Sequence, residues 1–211
     1  MSMPVPALCR SSPQICTWDD SVRNTEAVVD EVIALMRDNG GGEYFGEAVS
    51  KLEHSEQCAV CAREAGADEE LVLAALLHDI GHLLDLPETI RDQEVGVVNH
   101  DDIGGKWLLE RGFSPRLARL VASHVDAKRY LTGTNPAYRD RLSTASRTTL
   151  ELQGGPMTAA EAETFASRED LRDALRLRSW DEMAKDPNWT GPGLETYRAM
   201  MLRHLNRSPA D

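Results

Sequence analysis

Positive charge is in short supply in this 211-residue sequence: 23 Lys and Arg stand against 35 Asp and Glu, a formal charge of −12. That balance argues against a general affinity for nucleic acid or anionic membranes and leaves room only for a local cationic pocket. No apolar run approaches the length of a membrane-spanning helix. The N-terminal MSMPVPALCRSSPQIC lacks the basic start and apolar stretch of a secretory signal. Residues 1–20 therefore read as a loose tail, and 21–211 as one domain of a cytoplasmic protein. Cysteine is also sparse, and four without a dense paired framework fit a reducing compartment. Cys58 and Cys61, in CAVC, have redox-pair spacing, but they sit inside a continuous helical pattern rather than at a strand-to-helix turn. They read as small buried thiols, and a zinc site on His54, Cys58 and Cys61 would lack a fourth ligand nearby.

No stretch alternates convincingly at period two, and no internal repeat or low-complexity block is present. What is present is helix after helix. TEAVVDEVIALMRDNGG carries apolar residues at helical spacing and stops at the glycines after Asn39. Ser50 and Glu53 form a capping box for a helix ending near Gly66, and Asp68 caps the next. Ser114-Pro115 opens PRLARLVASHVDAKRYL, read as a single helix, and Thr158 with Glu161 forms a second capping box. A short helix over about 102–111 precedes these, and more helices follow NPAY and run through REDLRDALRLRSWDEMAKD and LETYRAMMLRHLNR. DLPETIRDQEVGVVN reads as a loop. The predicted fold class is all-α.

One helix poses a problem. LVLAALLHDIGHLL, residues 71–84, is built for burial yet carries His78, Asp79 and His82. An unpartnered polar group in an apolar interior costs roughly 2–7 kcal/mol, so hydrogen-bond partners, a metal or a water-filled site must compensate it. Five of the six histidines, His54, His78, His82, His100 and His124, lie between residues 54 and 124. If the helices pack with these faces inward, imidazoles and carboxylates converge as in bundles that hold metals.

The order His54, His78-Asp79 in LLHDIGH, His100, His124 and a late aspartate in WDEMAKDP resembles the HD-domain superfamily. That resemblance implies one metal held by His54, His78, Asp79 and Asp181. His100 and His124 resemble the subset with a second metal, Asp79 bridging the two. Most such proteins are metal-dependent phosphohydrolases, so a di-metal hydrolase of a nucleotide or phosphomonoester is the alternative reading. EYFGEAVSKLEHSEQCA is more specific. It resembles the entrance segment of the PhnZ-type oxygenases, including the TmpB-like enzymes for a trimethylammonio substrate, in which a Tyr and a Glu spaced as Tyr44 and Glu47 precede the first ligand. The likeness continues through VNHDDIGGKWLLERGFSP, SHVDAKRYL, LSTASRTTLELQGGPMT and LRLRSWDEMAKDPN, nearly everything after residue 20.

The resemblance implies two iron ions, Fe(II) and Fe(III), with O2 as co-substrate. The reaction it implies is C–P cleavage of a 2-amino-1-hydroxyethylphosphonate, free amine or N-trimethyl, to phosphate and glycine or glycine betaine. A separate hydroxylase would supply the hydroxyphosphonate. Lys128 lies four residues after His124, one turn along the same face. Arg178 and Lys185 flank Asp181 by three and four residues, and His82 follows His78 by four. With Ser146 and Gln153 these resemble the family's phosphonate-binding set. Glu47 would meet the substrate amine, and with Tyr44 occupy an iron position before substrate arrives; Tyr44, Glu47, Lys128 and His82 are the implied catalytic groups. A trimethylammonium favours aromatic walls, and at 5% aromatic residues the chain offers few beyond Tyr44 and Phe45.

Overall fold

The structure, a computed structural model, describes residues 24–44, 46–92 and 96–207; the expected tail and Phe45 lie outside these. Eleven α-helices follow one another among the described residues: α1 (Thr25–Asn39), α2 (Lys51–Glu64), α3 (Glu69–Leu77), α4 (His100–Glu110), α5 (Pro115–Ala122), α6 (His124–Thr134), α7 (Pro136–Arg141), α8 (Thr144–Leu152), α9 (Ala159–Ala166), α10 (Leu171–Met183) and α11 (Arg198–Leu205). The expected caps form. The Ser50 and Glu53 side chains satisfy each other's amides, Thr158 and Glu161 do the same, and Asp68 and Ser114 cap α3 and α5.

Helix α3 is the axis of the fold. Every residue from Leu71 to Leu77 is buried, as expected for a helix apolar on all sides. Helices α2, α5 and α10 pack around it, α4 lies on α5, and α10 also supports α2 and α6. No helix among the described residues is long and apolar enough to cross a membrane.

Four sequence expectations need correction. Residues 71–84 are not one helix: α3 ends at Leu77, and a 3-10 turn, Ile80–Leu83, follows His78 and Asp79. Likewise PRLARLVASHVDAKRYL breaks at Ser123 into α5 and α6, and α4 begins at His100 rather than near residue 102. Two small antiparallel hairpins also form where no strand was expected, β1 (Glu43–Tyr44) with β2 (Glu47–Ser50), and β3 (Arg91–Asp92) with β4 (Gly96–Val97). Gly46, at φ 78°, makes the first turn possible.

The turn after α3 approaches α4 closely. A Cβ on Gly81 would stand 1.9 Å from the carbonyl oxygen of His100, and one on Gly104 3.2 Å from the Gly81 nitrogen. Glycine at both positions lets the His78-Asp79 break press against the start of α4. This contact brings His78 and His100 to one centre.

Candidate metal centre

Four imidazoles at this centre are oriented by one kind of bond. Nδ1 of His78 donates to the Ala75 carbonyl at 2.8 Å, Nδ1 of His100 to Val97 at 3.0 Å, and Nδ1 of His124 to Val121 at 2.8 Å. His54 differs, its Nδ1 donating 2.9 Å to the distant carbonyl of Ala184, just past α10. A carbonyl only accepts, so in each ring Nδ1 carries a proton and Nε2 faces inward. The inward nitrogens meet in two pairs, His54 with His78 at 3.2 Å and His100 with His124 at 2.9 Å. Lone pairs this close repel unless a positive charge lies between them. Two nitrogens each about 2.1 Å from one cation, at right angles, stand roughly 3 Å apart.

Asp79 lies between the pairs. Its Oδ2 is 3.4 Å from His78 Nε2 and 3.7 Å from His54 Nε2, while Oδ1 is 3.3 Å from His100 Nε2 and 3.4 Å from His124 Nε2. Asp181 Oδ1 adds a second carboxylate to the first pair, 3.4 Å from His54 Nε2. All six residues are buried, and Asp79 Oδ2 has no hydrogen-bond partner among the described residues. Burial opposes the charge on Asp79, yet His78, His100 and His124 hold this carboxyl well below the usual range; Arg178 and the histidines do the same for Asp181. Burial presses the His78 imidazolium down, but Asp79 and Asp181 overcome it and lift the ring to about 9. His100 is raised against burial by Asp79, whereas burial, with His100 and His78 adding, lowers His124. Imidazole and carboxylate donors, an orphaned buried oxygen and facing nitrogens fit two divalent or trivalent transition-metal cations.

Cys58 lies 3.8 Å from His54 Nε2, close enough to join His54 and His78 around one metal position, and burial pushes its thiol well up; Cys61 is only half-buried. The zinc set of His54, Cys58 and Cys61 is not assembled, since His54 turns toward His78 and Asp181.

A pocket of about 510 Å³, including its open mouth, leads to this centre. Lys128 lies buried in its wall and donates to Thr149 Oγ1 at 2.8 Å and Gln153 Oε1 at 2.6 Å. Burial presses its ammonium down to about 7, with the Arg178 charge adding to the effect. Arg178 is buried against Asp181 and Glu182 and donates 2.9 Å to the Tyr138 hydroxyl. Ser146 Oγ donates 3.5 Å to Glu182. Lys185 Nζ lies 2.8 Å from the Glu47 carboxylate and 3.1 Å from Ser143 Oγ. Tyr44 stacks on His54, ring centres 3.9 Å apart, and His82 stacks on His100 at 3.8 Å.

The spacing arguments for two of these residues fail, though the residues still line the pocket. Helix α10 ends at Met183, so Lys185 does not share a helix face with Asp181. His82 sits in the 3-10 turn and belongs beside His100, not one α-turn above His78. Thr149, Ser143, Tyr138 and Gln57 escaped the sequence reading. Thr149 alone had a signal, lying on α8 three residues after Ser146 and four before Gln153.

The HD domain family model matches residues 52–207. The chain is 37% identical over 181 residues to a hydroxymethylphosphonate dioxygenase of Gimesia maris, covering 85% of this chain and 89% of that protein. It is 35% identical over 196 residues to a [1-hydroxy-2-(trimethylamino)ethyl]phosphonate dioxygenase (glycine-betaine-forming) of Leisingera caerulea, covering 90% and 96% respectively. An uncharacterized protein, L432, of Acanthamoeba polyphaga mimivirus is 36% identical over 194 residues, 92% of this chain and 89% of its own. With its paired histidines around one aspartate and relatives of this likeness along almost its whole length, the chain belongs to the HD-domain family, in the branch that includes the phosphonate dioxygenases.

Proposed function

We propose that this protein is an oxygenase that uses O2 to cleave the C–P bond of a small 1-hydroxyphosphonate, yielding phosphate and a carboxylic acid. The observation that carries this reading is the placement of Asp79 between two inward-facing histidine pairs, with buried Lys128 in the adjoining wall. Both named relatives carry out chemistry on hydroxyphosphonates. The proposed substrate is a 2-amino-1-hydroxyethylphosphonate, its amine free or trimethylated, made by a separate hydroxylase. The products are phosphate and glycine or glycine betaine.

The balance is simple. One O2 accepts four electrons as the C–H and C–P bonds of the hydroxyl-bearing carbon are broken, and both its oxygen atoms end in the carboxylic acid and phosphate. Two irons, Fe(II) and Fe(III), held by His54, His78, Asp79 and Asp181 and by Asp79, His100 and His124, would supply the redox chemistry toward O2. The protein's own side chains do the positioning. Lys128, whose hydrogen-bond partners among the described residues are the neutral Thr149 and Gln153, has its charge available for a phosphonate oxygen and for the phosphate that leaves. Ser146, Gln153 and His82 complete that anionic end, and Arg178 adds positive potential while holding Asp181. Glu47 faces the cationic end, and Tyr44 covers His54. The Tyr44 phenol, pushed well up by burial with Asp79 and Asp181 adding, stays protonated and polar at the entrance.

Metal-free protein reconstituted anaerobically with ferrous iron, then given air and the hydroxyphosphonate, tests the proposal. Phosphate release that requires O2 is the expected result. Oxygen-independent release from a phosphomonoester with magnesium or manganese would point to a di-metal phosphohydrolase and overturn it.

A further inference from the structure

The cations of the pocket are held in different ways. Lys128 has hydroxyl and amide partners, and Arg178 is committed to Asp181 and Glu182, which leaves Lys185 as the cation paired with the substrate-facing carboxylate. The Lys185 and Glu47 side chains are 19% and 21% exposed, so the ion pair is largely shielded from solvent. It also joins three elements: Glu47 in β2, Ser143 capping α8, and Lys185 just beyond α10. A charge already matched at 2.8 Å by a carboxylate is less available to an incoming dianion than that of Lys128, whose hydrogen-bond partners are neutral.

We propose that Lys185 is a built-in competitor for the cationic end of the substrate, and so determines the preference between substrates with and without an ammonium group. This rests on the reading that Glu47 faces that end. The lysine ammonium occupies on Glu47 the place an incoming ammonium must take. A primary ammonium replaces it hydrogen bond for hydrogen bond, whereas a trimethylammonium offers charge but no N–H. A phosphonate with no amine leaves the Glu47–Lys185 pair intact. Discrimination then follows from the cost of displacing an internal partner, a form of specificity set by competition rather than by contact alone.

Calorimetric binding of 2-aminoethylphosphonate and of ethylphosphonate to the purified metal-loaded protein tests this without requiring turnover, since neither ligand has the 1-hydroxyl. Lys185→Met should raise the preference for the aminated ligand at least tenfold over wild type. Ser143→Ala, which removes the second support of the ammonium, should act in the same direction more weakly, and Lys185→Arg should stay close to wild type. Glu47→Gln combined with Lys185→Met should abolish the gain. An unchanged ratio in Lys185→Met, a parallel loss of both ligands, or absence of binding in every variant overturns the inference. A failure of the oxygenase reading shows separately, as absence of O2-dependent phosphate release by the wild type.

Discussion

The imidazole of His54 takes its orientation from the main-chain carbonyl of Ala184, 130 residues further along the chain. The other three inward histidines take theirs from carbonyls three residues back. The first histidine pair is therefore more sensitive than the second to how the segment after α10 docks on α2. Gln57, one turn after His54 and buried, clamps that segment: its amide donates to the Asp186 carbonyl at 3.1 Å and accepts from the Asp186 N–H at 2.9 Å.

Gln57→Leu should separate the two metal positions. The change removes two partly buried hydrogen bonds to the exposed Asp186 backbone, a loss of about 0.5–1.5 kcal/mol each. The chain should still fold, with a lower Tm, and bind about half the iron that the wild type takes up. Metal analysis after anaerobic reconstitution checks this; two tightly held irons in the variant would show that Ala184 needs no clamp.

Asp79 serves both pairs, one oxygen toward each. Asp79→Asn keeps the volume but removes the charge and turns an N–H donor toward one of the pairs. It should leave less than one iron per chain, whereas Asp181→Asn or His124→Ala should each lose a single ion. Should Asp79→Asn lose no more than Asp181→Asn does, the bridging role is wrong.

Helix starts were legible in the sequence because caps are local: Ser50 with Glu53, Asp68, Ser114 with Pro115, Thr158 with Glu161. The breaks at His78 and Ser123 were not, since the apolar pattern runs on through both. What marks each break is a histidine folding its Nδ1 onto the carbonyl three residues earlier, an arrangement periodicity does not register. The six centre residues could be named from order and likeness. The Lys185–Glu47 pair could not, because it depends on where α10 stops and how the segment after it docks.

Gly81→Ala tests the contact that joins the pairs. The new Cβ would fall 1.9 Å from the His100 carbonyl oxygen, with backbone on both sides unable to yield. A cost at or above the usual 1–3 kcal/mol of overpacking is expected, together with loss of iron from the His100 pair as α4 is pushed outward. Gly66→Ala is the control. Its Cβ meets open space at φ +67°, so it should cost only about 1 kcal/mol and leave metal content unchanged. Thermal unfolding and iron content measured on both variants separate close approach from backbone strain.

The Lys128 ammonium is pressed down to about 7 by burial first and by Arg178 next, with Asp181, Asp79 and Asp101 only partly offsetting these. The unfolded lysine titrates near roughly 10.4, so between about 7 and that value the unfolded chain binds more protons than the folded one, and the Lys128 contribution makes stability rise with pH. Lys128→Met should flatten that rise in denaturation experiments from pH 7 to 10. Ligand binding should run the opposite way. A phosphonate dianion needs the charged lysine, so once the ligand is itself fully ionised affinity should fall with rising pH, approaching tenfold per unit while the bound lysine stays protonated and the free one does not. Lys128→Arg keeps its charge throughout and should lose that slope even if its affinity is lower. Calorimetric titration of ethylphosphonate across this range decides it: parallel slopes for wild type and Lys128→Arg would place the anion elsewhere in the pocket.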